Sequence, residues 1–472
     1  MLLRTWLDIL AGWRPAFHQQ RSFNRALRQA LGALTTLGRR TLSRLIAAQG
    51  RQYQDWSADY RLHARAPWQA DQLFQPILEK ALPLCRGRYL ALAVDDTRIQ
   101  KTGRKILSAF YQRDPLSPKF RFNLMWGLRF LQVGLLVPLY RTSKQSPRSL
   151  PVRFVECPAI KKPFKKASSA DWDAWRECCK TSNLSARTVS TLRDMRQACD
   201  AAGGQRKTIL AVADNSFCNR TLFRTKWDRV ELIARCRRDL KLCWPANHGR
   251  RIYDAVKFTP EQVRNDDTIP WCKVRVFYGG QWRKIRYKEV NGIYWQSAAG
   301  QRLLRLFIVA PLPYQAPGRP RKYYRDPAFL LTTDFKGSAR EMLQPYLDRW
   351  QIEVNHREEK DTLGVGQAQL RSTQSVPRQP AFVVAAYSSL LLAGILAFGP
   401  DRGDAYPRLP KWRRHAKRPS CLDLLAVLRK EMVDNPSMLQ HLDHRSLNNY
   451  TIMDSSILYF HRNTTGAELI SS

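Results

Sequence analysis

Residues 88–99 read RYLALAVDDTRI and residues 206–217 read RKTILAVADNSF. Each is a short apolar run that stops on carboxylates, Asp95 and Asp96 in the first and Asp214 in the second. Unbroken apolar runs of this length fit strands covered on both faces. A carboxylate at the end of a buried strand is costly unless it is paired or binds a metal, so such acids are commonly functional. For Asp214 a plainer role is open, because NSFCNR can begin a helix that Asp214 would cap.

Outward from these runs, residues 120–132 and 134–141 read as two more strands with a turn near Val133 and Gly134. Residues 141–170 carry Pro147, Pro151, Pro158, Lys161, Lys162, Pro163, Lys165 and Lys166 and read as a connector facing phosphates. Residues 186–202 have helical spacing, and residues 245–335 alternate apolar and polar positions between Gly-containing turns, as antiparallel strands do. In that β-rich stretch Lys284, Arg286 and Lys288 share one strand face, near Trp271, Trp282 and Trp295. A basic face with interleaved aromatics suits a nucleic-acid backbone.

The whole chain supports such a partner. Its 472 residues hold 79 Lys+Arg against 39 Asp+Glu, a formal charge of +40, while 44% hydrophobic content excludes a disordered chain. A folded surface of that sign binds polyanions by counterion release. Residues 1–70 are helical in pattern and contain eleven Arg, three Asp and no Lys or Glu, which fits a small DNA-binding module or a solvated helical face. The ten cysteines form no CxxC pair and read as reduced thiols of a cytosolic protein. Asp8 interrupts the first apolar stretch, so an amphipathic helix fits it better than a signal peptide. Residues 381–399 lack any charge over 19 positions, close to a membrane span in length, yet Tyr387, Ser388, Ser389 and Gly394 favour a helix buried in a core.

Between these lies YLDRWQIEVNHREEK, residues 346–360. On one α-helix Tyr346, Arg349, Glu353 and Lys360 fall within a stripe about 60° wide, which Arg357 extends. No core accepts such a stripe unpaired; an exposed salt-bridged face is the ordinary alternative.

The spacing Tyr346-(2)-Arg349-(3)-Glu353-(6)-Lys360 resembles the Y-(2)-R-(3)-E-(6)-K signature of DDE transposases of bacterial insertion sequences, in the insertion-sequence 4 and neighbouring 701 grouping. VDDTRIQKTGRK (94–105), VADNSF (212–217) and LGVGQAQLRS (363–372) resemble other segments of that family, so the likeness runs over about residues 88–400. It implies an α/β fold with an RNase H-like catalytic core. The expected parts are a helical DNA-binding domain at 1–85, core at 86–244, a β-rich insertion at 245–330, core with the Glu helix at 331–400, and a basic region at 401–472.

The resemblance further implies a catalytic, metal-holding triad of Asp96, Asp214 and Glu353. Asp96 is preferred to Asp95 because Thr97 follows it directly. It implies two Mg²⁺ ions, with Mn²⁺ as a substitute, that serve a phosphoryl displacement. Tyr346, Arg349, Arg357 and Lys360 would hold DNA phosphates, with Lys284, Arg286 and Lys288 tracking the backbone, and a flipped base would stack on Trp271, Trp282 or Trp295. The partners implied are double-stranded DNA, as element ends and target, and a second copy of the chain in a homodimeric DNA complex. The place implied is the bacterial cytoplasm at the nucleoid, with no membrane. A catalytically silent DNA-binding descendant is the alternative. Residues 436–472 carry no reading.

Overall fold

A computed structural model describes residues 1–442, apart from 115, 116, 119, 142, 144, 248, 316–320, 414 and 415. The chain forms two compact units. One comprises Ala81–Thr97 and Phe130–Asn355; the other comprises Met1–Lys80, Arg98–Arg129 and the chain from His356 onward.

The strands in chain order are β1 (Tyr89–Gln100), β2 (Phe110–Arg113), β3 (Leu124–Val137), β4 (Arg148–Glu156), β5 (Thr208–Ala213), β6 (Val230–Arg235) and β7 (Leu242–Pro245). They continue with β8 (Tyr253–Phe258), β9 (Cys272–Tyr278), β10 (Gln281–Tyr294), β11 (Leu303–Val309), β12 (Pro313–Gln315), β13 (Lys322–Tyr324) and β14 (Ala328–Thr332). In the first unit the sheet runs β4-β3-β1-β5-β6-β14-β11-β10, where β10 pairs with both β9 and β7, and β7 with β8. β1, β5 and β6 are mutually parallel, whereas β14, β11, β10 and β9 are antiparallel to their neighbours. This mixed order is compatible with an RNase H-like nuclease core.

Parallel strands must be covered on both faces. Ala211 and Ala213 of β5 pack with Val189 and Leu192 of helix Leu184–Ala201, while Leu210 and Val212 pack with Met342 and Leu343 of helix Ala339–Asp348. The unbroken apolar run at 208–213 is therefore two alternating faces, each with its own helix.

Two expectations need correction. The turn expected near Val133 and Gly134 is a bulge inside the continuous strand β3, where the register with β4 shifts. The connector expected at 141–170 contains β4. Pro151 pairs opposite Gly134 at that shift, where a missing N–H is tolerated because the ladder is already interrupted.

The other unit is built round helix Ser375–Phe398. That helix is long and apolar enough to cross a membrane, yet 78% of its most apolar window is buried. The Trp6 indole donates to Ala386 O at 3.3 Å, and Phe382 packs against Trp13 at 5.4 Å and Trp68 at 6.1 Å. The long uncharged run is thus the axis of a helical cluster, as its Tyr and Ser content suggested. Replacing Phe382, 1% exposed, with Ala should cost about 3–5 kcal/mol. Denaturant titration should register this as a lower midpoint with an unchanged slope.

Candidate active site

Position along the strands comes first. The parallel register of β1 and β5 sets Val94 opposite Ala213, which brings the next residues, Asp95 and Asp214, level where that pairing ends, although β1 itself runs on to Gln100. Ala93 packs with Ile352 of helix Gln351–Arg357, and alternation along a strand turns Asp95 to that same face. Asp96 is turned to the opposite face.

On the Asp95 face stands Arg349. Its guanidinium lies 3.6 Å from Asp95 Oδ2 and 3.1 Å from Glu353 Oε1. The backbone N–H of Asp96 donates to Asp95 Oδ1 at 2.9 Å. One cation thus bridges an acid from a strand and an acid from a helix. Asp214 Oδ1 accepts from Ser216 N at 2.8 Å, so this side chain does cap the short turn Asn215–Phe217 while standing at the strand end. Tyr346 shares the neighbourhood: burial raises its phenol pKa, Arg235, Arg349 and Arg325 oppose that rise, and Asp214 adds to it.

The 346–360 segment is not one helix. Helix Ala339–Asp348 stops at Arg349, helix Gln351–Arg357 follows, and Glu358–Thr362 is a π-turn. Tight i to i+3 bonds mark the join, Ile352 N to Arg349 O at 2.9 Å and Glu353 N to Trp350 O at 3.2 Å. Leu363 N then bonds Glu358 O at 3.0 Å, an i to i+5 step that breaks the regular 100° increment. Tyr346, Arg349 and Glu353 belong to one unit, Arg357 and Lys360 to the other. The structure brings the first three together with Asp95.

A cavity of about 1050 Å³ opens beside Tyr346 and Arg349, lined also by Arg235, Arg283, Arg325 and Trp350. Arg325 lies over the rings of Tyr314 at 5.7 Å and Trp350 at 5.6 Å, and Trp350 is 50% exposed. Arginines beside an accessible aromatic suit a single nucleic-acid strand. Arg235 and Arg325 went unnoticed in the sequence, which offers only one signal: Arg235 ends the apolar strand β6, the parallel neighbour of β5.

Lys284, Arg286 and Lys288 of β10 sit in two environments. Lys284 and Arg286 are exposed, but Lys288 is 1% exposed, its Nζ donating to Asp266 O at 2.6 Å and Val263 O at 3.4 Å. Helix Pro260–Asn265 and the turn after it cover this end of β10. Lys288 is a structural tie. The exposed cations are cross-strand pairs, Lys284 opposite Arg275 and Arg286 opposite Lys273, an arrangement that repels itself without an anion. Trp295 is 8% exposed and packs on Phe223 at 5.6 Å. Trp271 lies under Arg286 and Lys288, and Trp282 packs on Phe277 and Tyr140.

Asp95, Asp214 and Glu353 offer hard carboxylate oxygens, the donor type that holds Mg²⁺. Among the described residues no three His, Cys, Asp or Glu side chains converge into a metal-holding group; Arg349 occupies the space between two of these acids. Its removal should therefore matter twice. Arg349→Met should cost about 1 kcal/mol, and Mg²⁺ should raise the melting temperature of the variant more than that of the parent protein, measured by calorimetry with and without the ion. Lys288→Met should cost about 1–3 kcal/mol with little change in DNA affinity. Lys284→Ala with Arg286→Ala should leave stability unchanged and flatten the salt dependence of DNA binding by about 1.8 in log–log slope.

No curated protein matches the chain. Residues 14–257, more than half of the 472, match the family described as DDE superfamily endonuclease. That stretch carries β1 with Asp95 and Asp96, and β5 with Asp214. With two acids level where a parallel pairing ends and a helix acid tied to one of them, the chain belongs to the DDE superfamily endonucleases.

Proposed function

We propose that this endonuclease is the transposase of a bacterial insertion sequence, in the grouping whose Y-(2)-R-(3)-E-(6)-K spacing residues 346–360 follow. It cuts the ends of its element to leave 3′-OH groups and joins them to target DNA in the cytoplasm, as a dimer that holds two ends. The observation that carries the reading is the Arg349 bridge between Asp95 and Glu353, with Asp214 level beside Asp95.

Asp95, Asp214 and Glu353 would hold two Mg²⁺ ions; Asp95 takes the role first expected of Asp96, because it shares the face of the Glu353 helix. Bound ions of this kind supply activation of the attacking oxygen and stabilisation of the leaving oxygen. The chain's own groups do the positioning. Arg349, 3.6 Å from Asp95 and 3.1 Å from Glu353, is the guanidinium placed to hold a phosphate beside these acids. Tyr346 and the arginines at 235, 283 and 325 line a groove of about 1050 Å³ that holds the strand being cut, and the cations of β9 and β10 hold the flanking duplex.

Purified protein with Mg²⁺ should nick DNA carrying its own element ends. Asp95→Asn and Glu353→Gln should each lower the rate by about 10³-fold or more while DNA binding persists. Asp96→Asn should cost less than about tenfold, so loss confined to Asp96→Asn would return the role to that residue. A protein that binds the ends yet nicks nothing would be the silent descendant.

A further inference from the structure

A second basic cavity, of about 650 Å³, lies at the start of β1, before Asp95 along the strand. Arg86, Arg88, Arg141 and Arg340 line it together with Trp282 and Asp348. All four arginines are exposed. Among the described residues none of them is within ion-pair distance of a carboxylate, although the same unit pairs many of its other arginines, such as Arg196 with Asp200 and Arg305 with Glu289.

The loop that presents Arg86 and Arg88 is held in place. Lys207 Nζ donates to Cys85 O at 2.9 Å and Gly87 O at 2.6 Å, and Arg141 Nη1 donates to Arg86 O at 2.7 Å. Gly87 sits at φ +102°, a conformation that suits glycine. Arg340 is seated over the Trp282 ring at 4.7 Å, and Arg88 over Tyr89 at 5.1 Å.

Little negative charge answers these cations. Glu341 spends its carboxylate on the backbone and hydroxyl of Ser338, the cap of its own helix. Asp348 accepts from Tyr140 at 3.0 Å and Gln344 at 2.8 Å, and burial pushes its carboxyl up to about 7, so part of its population is neutral at neutral pH. Four guanidiniums round one concavity repel one another, and the missing partner is an anion from outside. Planar forked donors select phosphate over a spherical anion, and the cavity has the volume of an ordinary ligand site.

We propose that the Arg86, Arg88, Arg141 and Arg340 cavity is a phosphate-binding site, separate from the groove beside Arg349, that takes either the backbone of a DNA segment or a free polyphosphate. The DNA source rests on the proposed function; the phosphate chemistry does not.

The test uses the full chain without divalent metal. The variant carries Arg86→Ala, Arg88→Ala and Arg340→Ala, with Arg141 kept because it holds the loop. Fluorescence anisotropy of a labelled 40-base-pair duplex, read against salt, is the first arm; calorimetric titration with pyrophosphate is the second. The expected result is an unchanged melting temperature, a log–log salt slope flatter by about 2.7 at 0.9 per lost contact, and loss of pyrophosphate binding. A triple Arg→Lys variant should restore the slope. Loss of pyrophosphate binding with an unchanged slope assigns the site to a free polyphosphate and overturns the DNA source. Retention of both overturns the site. Absence of salt-dependent binding in the unaltered protein would sink the DNA-handling reading instead, and the pyrophosphate arm would still decide the cavity.

Discussion

The pairing of β1 with β5 in parallel register is the constraint on which the acidic centre depends. A parallel pair cannot be joined by a tight turn, so the chain must leave and return through a long connection. Here that connection supplies β3, β4 and the helix that covers one face. Because Val94 lies opposite Ala213, the acids that follow are delivered level by backbone hydrogen bonds, not by loops. A slip of one residue would turn every side chain of β1 to the other face and put Asp96 where Asp95 stands.

That geometry concentrates negative charge on a protein that carries a large positive excess. Arg349 is the local answer to the conflict, since it stabilises two acids of different elements with one cation. Elsewhere the chain tolerates unbalanced cations on exposed surfaces, across β9 and β10 and round the cavity at the start of β1. Screening weakens the repulsion there, and a bound polyanion removes it.

Much of this was legible in the sequence because it follows local rules. The strands at 88–99 and 206–217, the helix near 186–202 and the β texture of 245–335 are periodicity and run length, and all are present. Less legible was anything that needed the other side of a contact. Lys288 has the same strand face as Lys284 and Arg286, and only the covering helix Pro260–Asn265 makes it a buried tie. The choice between Asp95 and Asp96 turns on which face meets Ile352. The stripe at 346–360 assumed a constant angular increment, which the join at Arg349 and the π-turn at Glu358 do not keep. β4 hid among prolines and lysines because its apolar stretch is short and is broken by Pro151 and Arg153.

The apolar helix Ser375–Phe398 gathers partners from far along the chain. Trp6 reaches Ala386 of that helix across 380 positions, and the backbone N–H groups of Leu2 and Leu3 donate to Glu431 of the later helix Cys421–Asp434 across 429 and 428. Contacts of such separation are the slowest to close. Because residues 81–97 and 130–355 of the other unit lie between these partners in sequence, the helical unit closes only across long excursions of the chain.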